Sequence, residues 1–264
     1  MSGFPTRLRG VAPYLTAGDG GLTETLRALH AVEEAGACAV ELGVPFSDPI
    51  ADGPRLQEAA QRALAAGATL DRILDTLAAF RAAGGRVPVA LMSYANPLRR
   101  RGWQETAARA AAAGADAFIV PDLPVEEADE MRAAAAAHGL GTVFFVAPTS
   151  GPARARAACA ASTAFVYVLG RIGVTGGATR FDAEALSLLD RVRAQAATPV
   201  AVGFGIASAD DVRAATAHAD VAIVGTALVQ KMHEARASGR DAAAVARAAV
   251  RELVSSIAPA PSAR

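Results

Sequence analysis

Of the 26 basic residues in this 264-residue chain only one, Lys231, is a lysine. It lies past the last apolar run, in a helix-like stretch, which argues against a Schiff-base lysine at a strand end. Histidine is nearly as scarce: His30, His138, His218 and His233 fall within or at the ends of helix-like segments. That placement argues against a Ser/His/Asp triad and a His-ligated metal, so no metal is expected. Two cysteines, Cys38 and Cys159, lack metal-ligand spacing and sit among apolar or alanine residues, as small buried hydrophobes do in a reducing compartment. Net charge is absent as well, since 26 acidic residues balance the 26 basic ones, and no basic face for nucleic acid is foreseen. The one basic cluster, Arg99-Arg100-Arg101, reads as a solvated loop. No apolar run approaches ~18 residues, and the opening MSGFPTRLRG has no signal-peptide core. A cytoplasmic protein with no membrane segment is expected.

What the chain does have is a repeat of short apolar runs, each followed by an alanine-rich, helix-like segment. Candidate strands fall at 11–15, 37–42, 88–93, 117–120, 142–146, 164–169, 199–202 and 220–224. Several are rich in Val, Ile or Phe with little alternation, as parallel strands buried on both faces are. Helical periodicity is clearest at 22–35, 55–66, 103–113, 125–138, 182–196 and 208–218, with Gly36, Gly67, Gly114 and Gly139 where helices should stop. Eight strand–helix units predict a single (β/α)8 TIM barrel over residues 1–264, a fold of typically ~250 residues, with a disordered tail from about 257. A doubly wound open sheet is the alternative.

In a barrel the strand ends share one mouth. Residues 41–54, ELGVPFSDPIADGP, place Glu41 at a strand end and Asp52 on the loop after it. Two carboxylates so placed supply an acid and a base if their environments separate their pKa values; a solvated acidic loop is the plainer reading of this segment alone. Three glycine clusters follow the last three strands: GRIGVTGG (170–177), GFG (203–205) and GT (225–226). That is where barrels commonly hold a phosphate, because glycine lets backbone N–H groups approach an anion. Tyr14, Met92, Phe145, Tyr167 and Phe204 are placed to line an apolar pocket, although each alone also fits ordinary barrel-core packing. What remains is carboxylate acid/base work on a phosphorylated small molecule.

With PYLTAGD before it and PDLPVEE, GRIGVTG, VGFGI and GTALV after it, ELGVPFSDPIADGP resembles the tryptophan synthase alpha chain family, in order from about Val11 to about Lys231. The resemblance implies cleavage of indole-3-glycerol phosphate to indole and glyceraldehyde 3-phosphate. It implies no cofactor in this chain, pyridoxal phosphate belonging to a partner β chain in an α2β2 assembly. Carried over by position, Glu41 is the catalytic acid/base and Asp52 the acid that holds the indole N–H. Tyr167 is the pocket tyrosine, and Thr175 the loop residue that contacts Asp52. Gly176, Gly205, Gly225 and Thr226 fall on phosphate positions. The three arginines at 99–101 stand where the family shows an apolar or aromatic loop, so burying them against a partner would require acidic neighbours. A free-standing lyase that releases indole, or a silent activator of a β chain, are the other readings within the family.

Overall fold

The structure is a computed structural model that describes residues 4–5, 7–170, 183–203 and 205–257. Eight strands, β1 (Gly10–Thr16), β2 (Val40–Gly43), β3 (Val89–Met92), β4 (Ala117–Ile119), β5 (Gly141–Val146), β6 (Phe165–Leu169), β7 (Val200–Gly203) and β8 (Val221–Val224), form a closed barrel in chain order. Every neighbouring pair is parallel, and Gly10 of β1 pairs with Val221 of β8 to close the ring. The predicted (β/α)8 architecture is therefore the observed one, with strand limits moved by at most a few residues.

The helices around the barrel are α1 (Leu22–Glu34), α2 (Pro54–Ala65), α3 (Leu70–Ala82), α4 (Ala95–Arg99), α5 (Trp103–Ala112), α6 (Asp129–Ala137), α7 (Pro152–Ala161), α8 (Ala183–Arg193), α9 (Ala209–His218), α10 (Thr226–Ala237) and α11 (Ala242–Ser255). Local chemistry starts them. Pro54 opens α2, Thr69 accepts from the Arg72 amide ahead of α3, and Ser208 with Asp211 forms a capping box at α9. The helix foreseen over 125–138 is instead a 3-10 turn, Val125–Glu127, followed by α6. Ala128, with ψ near 7°, leaves the helical region between them.

Two apolar layers result. Inside the barrel Ala12, Ala39, Ala90, Ala117 and Ala201 face larger side chains such as Ile119, Phe165 and Ile223. Phe4 closes the strands' N-terminal end, its ring 5.5 Å from that of Phe165. Outside, the opposite strand faces pack on the helices through Val11, Leu42, Leu91, Phe118 and Val166.

The arginine cluster is exposed, as expected of a solvated segment, and two of its members are ion-paired. Arg99 ends α4, and Arg101 bonds Asp71 at 2.6 Å with Glu105 3.5 Å away. Arg99 lies 4.0 Å from Glu130, and Arg109 adds a 2.7 Å bond to Asp71. The acids that the cluster would need in an interface are already beside it. The tail from 258 lies outside the described residues.

Candidate active site

In parallel strands, paired residues point the same way. The pairing of Tyr14 with Glu41, and of Glu41 with Ala90, therefore sets Glu41 into the barrel interior near the mouth. Glu41 is 2% exposed and its Oε1 meets no hydrogen-bond donor among the described residues. Burial without compensation disfavours the charged form, and Glu41 is pushed up to about 8.

Asp52 lies on the loop that joins β2 to α2. Burial raises it to about 6, a smaller rise because Asp52 is less deeply buried and because the Tyr94 hydroxyl donates to its carboxylate. Three further bonds fix this loop. The Asp52 amide donates to Pro49 O at 3.0 Å, Gln57 Nε2 donates to Asp52 O at 2.8 Å, and the Ala51 amide donates to Tyr94 Oη at 3.0 Å. Tyr94 also stacks near Phe46, with ring centres 5.4 Å apart. Both carboxyl groups are thus raised by burial, Glu41 further than Asp52.

The tyrosine hydroxyls belong to the same electrostatic cluster. Tyr14 is raised above the ordinary tyrosine range by burial and then by the Asp52 and Glu41 charges. Tyr167 is raised well above that range by burial, then by Glu41 and Asp52. Room for both hydroxyls comes from glycines. A Cβ on Gly43 would overlap the Tyr14 hydroxyl, and one on Gly203 would overlap that of Tyr167. Phe145 pairs with Tyr167 across β5 and β6, their rings 4.8 Å apart. Met92 touches both this interior layer and the cluster of Tyr14, Leu56, Ala59 and Val229.

One strand beyond β1, β8 runs into α10 through Gly225 alone. Among the described residues no side chain caps α10, while the Leu228 and Val229 amides donate to Gly225 O at 2.9 and 3.1 Å. A Cβ on Gly225 would come no closer than 3.5 Å to Tyr14, ordinary contact. That position has space for a ligand atom. Gly205, after β7, has φ +70°, a left-handed conformation that favours glycine. Thr175, Gly176 and Phe204 lie outside the described residues, as does the loop that carries the first two.

Tyr94 was not singled out from the sequence, although it heads a mouth loop. Its link to Asp52 spans 42 positions, and only its type (an aromatic hydroxyl at a strand end) hinted at it. Among the described residues no group of three His, Cys, Asp or Glu side chains is arranged to hold a metal ion. No helix among them is long and apolar enough to cross a membrane.

Fold and mouth together define a (β/α)8-barrel enzyme with two buried or part-buried carboxyl groups at its mouth. The family model described as tryptophan synthase alpha chain matches residues 7–258, and this chain belongs to that family. The alpha chain of Chloroflexus aurantiacus is 44% identical over 246 residues, covering 93% of this chain and 92% of the relative. That of Laribacter hongkongensis is 41% identical, with 93% of each covered. Among solved structures, the alpha subunit from Legionella pneumophila superposes with TM-score 0.87 at 33% identity, over 94% of this chain and 92% of that one. The alpha subunit in the tryptophan synthase a2b2 complex of Pyrococcus furiosus does so with TM-score 0.86 at 37% identity, over 94% and 99%.

Proposed function

We propose that this chain cleaves indole-3-glycerol phosphate into indole and glyceraldehyde 3-phosphate, with Glu41 as proton carrier and Asp52 as the charge that supports the ring nitrogen. The observation that carries the reading is the pair of mouth carboxylates, held at about 8 and about 6 by unequal burial. Breaking the carbon–carbon bond requires the ring carbon to accept a proton first, so that the indole becomes an iminium-like electron sink. Protonated Glu41 supplies that proton. Ionised Asp52 offsets the positive charge that grows at the ring N–H. As the bond breaks, its electron pair returns to the ring and releases neutral indole. The adjacent side-chain hydroxyl becomes the aldehyde, and its proton goes to the emptied Glu41 carboxylate, which closes the cycle.

Tyr14, Met92, Phe145 and Tyr167 wall the indole pocket in this reading, with Phe204 as a further wall and Thr175 as the contact to Asp52. The phosphate rests on Gly225, Thr226 and Gly205, with Gly176 completing the cradle. No step calls for a cofactor in this chain. Pyridoxal phosphate belongs to a partner β chain, and the assembly is α2β2 in the cytoplasm. The solved relative from Pyrococcus furiosus is described in terms of mutual activation within such a complex. On this chain, Ile50 on the loop between β2 and α2 is 82% exposed, an apolar side chain suited to being covered.

The test is turnover of indole-3-glycerol phosphate by the purified chain, with and without its β chain, beside Asp52→Asn. Wild type should release indole, faster with the β chain. The variant should lose about 100-fold and bind indole more weakly. Undiminished turnover by Asp52→Asn would remove that residue from the site.

A further inference from the structure

We propose that Asp19 is a positioning residue: by holding α2 and α10 to one buried carboxylate, it sets the span between the Asp52 loop and the start of α10. The inference rests on the lyase reading, because it assigns a ligand that reaches from one to the other. Asp19 lies between β1 and α1, its side chain 5% exposed. Arg62 of α2 grips it with both arms of the guanidinium, Nε to Oδ1 at 2.8 Å and Nη2 to Oδ2 at 2.9 Å. Arg236 of α10 donates to Oδ2 at 2.6 Å, to Asp19 O at 3.2 Å and to Glu24 Oε1 at 2.6 Å. Two guanidinium groups thus face two carboxylates, and their charges cancel.

The sequence around Asp19 is shaped for this contact. Gly18, Gly20 and Gly21 all take left-handed φ values. A Cβ on Gly20 would collide with Glu24 and Arg236. Asp19 touches helices and not the mouth interior, so it acts through them.

The side chains that meet between α2 and α10 are mostly small. Where α2 and α10 meet over Tyr14, Ala59 and Val229 are buried and Leu56 packs beside them. Beside the ion pairs lies only a small void of ≈ 10 Å³, lined by Leu15, Thr25, Ala28 and Met232 among others. Directional, charge-assisted bonds to Asp19 add to that packing. Asp52 sits directly before α2 and is tied to it by Gln57, while Gly225 and Thr226 are the start of α10. A shift of either helix therefore changes the distance between the two ends of the site.

The consequence separates ligands by length. Three probes are used with wild type, Asp19→Asn and Arg236→Lys, at a temperature where circular dichroism shows each folded: inorganic phosphate, indole, and an indole joined to a phosphate by three carbons. Calorimetry should find the joined ligand about 10-fold weaker on Asp19→Asn, as small misplacements of paired subsites cost disproportionately. Phosphate and indole alone should bind within about twofold of wild type, since each needs one end only. Arg236→Lys keeps the charge but loses the guanidinium's multiple bonds, so it should show the same pattern at about 3-fold.

Unchanged binding of the joined ligand by the variants overturns the proposal, and so does parallel weakening of all three probes, which marks general loosening. Should Asp19→Asn not fold, Arg236→Lys decides by the same criteria. A wild-type chain that binds no joined ligand and releases no indole would instead overturn the lyase reading.

Discussion

The two ends of the barrel treat buried polar groups differently. At the N-terminal end they are matched. Asp116 accepts from the Val89 amide at 2.7 Å and from Arg81 at 2.8 Å, and Asp220 accepts from the Val200 amide at 2.8 Å. Arg81 also donates to the carbonyls of Gly85, Val87 and Gly114. At the C-terminal mouth Asp19 is matched by two arginines. Inside the barrel there, however, Glu41 keeps an oxygen with no partner among the described residues, and two tyrosine hydroxyls occupy space that only glycine leaves free. The matched end holds the strands in register. The unmatched interior of the mouth stores electrostatic cost where chemistry uses it.

The contrast predicts mutations whose effects separate cleanly. Glu41→Gln should cut indole release about 100-fold or more, because it keeps shape but carries no proton. It should also stabilise the fold at alkaline pH. An acid whose folded pKa is raised from 4.5 to about 8 contributes stability that is complete below 4.5 and lost as pH rises through 8. The amide escapes that loss, so chemical denaturation at pH 8 should find the variant more stable by up to roughly 4 kcal/mol. A variant that is both active and no more stable than wild type would break the comparison at its centre.

Asp116→Ala should do the reverse. Stranding the Val89 amide and one arm of Arg81 should cost about 2 kcal/mol in urea unfolding, with kcat unchanged where the protein is folded. Gly225→Asp should leave stability nearly intact yet weaken inorganic phosphate about 10-fold, from like charge at a helix N-terminus. Equal affinity would move the anion elsewhere.

The smallest effect is expected from Tyr94→Phe. The rate should follow a bell, with an acid limb near 6 from Asp52 and an alkaline limb near 8 from Glu41. Removing a donor to the Asp52 carboxylate weakens its ionised form, so the acid limb should move to higher pH while the alkaline limb stays. A limb that does not move would separate Tyr94 from Asp52.

How far these features were legible depended on range along the chain. Strands such as β5 and β8 stood out because burial on both faces leaves an uninterrupted apolar run, and Glu41 and Asp52 stood out because they share one loop. The split of 125–138 was hidden because Glu126, Glu127, Asp129 and Glu130 suit a helix start at either place. The partners of Asp19 lie 43 and 217 residues away, and no local pattern announces them. The acids beside the Arg99–Arg101 cluster could not be foreseen, because Asp71 and Glu130 reach it only through the fold.

Closure of the ring also constrains the order in which this chain can be made. Gly10 and Val221 are hydrogen-bonded strand neighbours, and α1 packs against α11. On the ribosome β1 emerges early and waits for β8 through nearly the whole of synthesis. Until then its open edge offers unpaired backbone groups to any passing strand. The contacts that seal the barrel are among the most distant in sequence, so the final step of folding carries a large loop-closure cost. A chain halted before β8 is therefore a sheet with two free edges, and the full-length product is the first species in which both disappear.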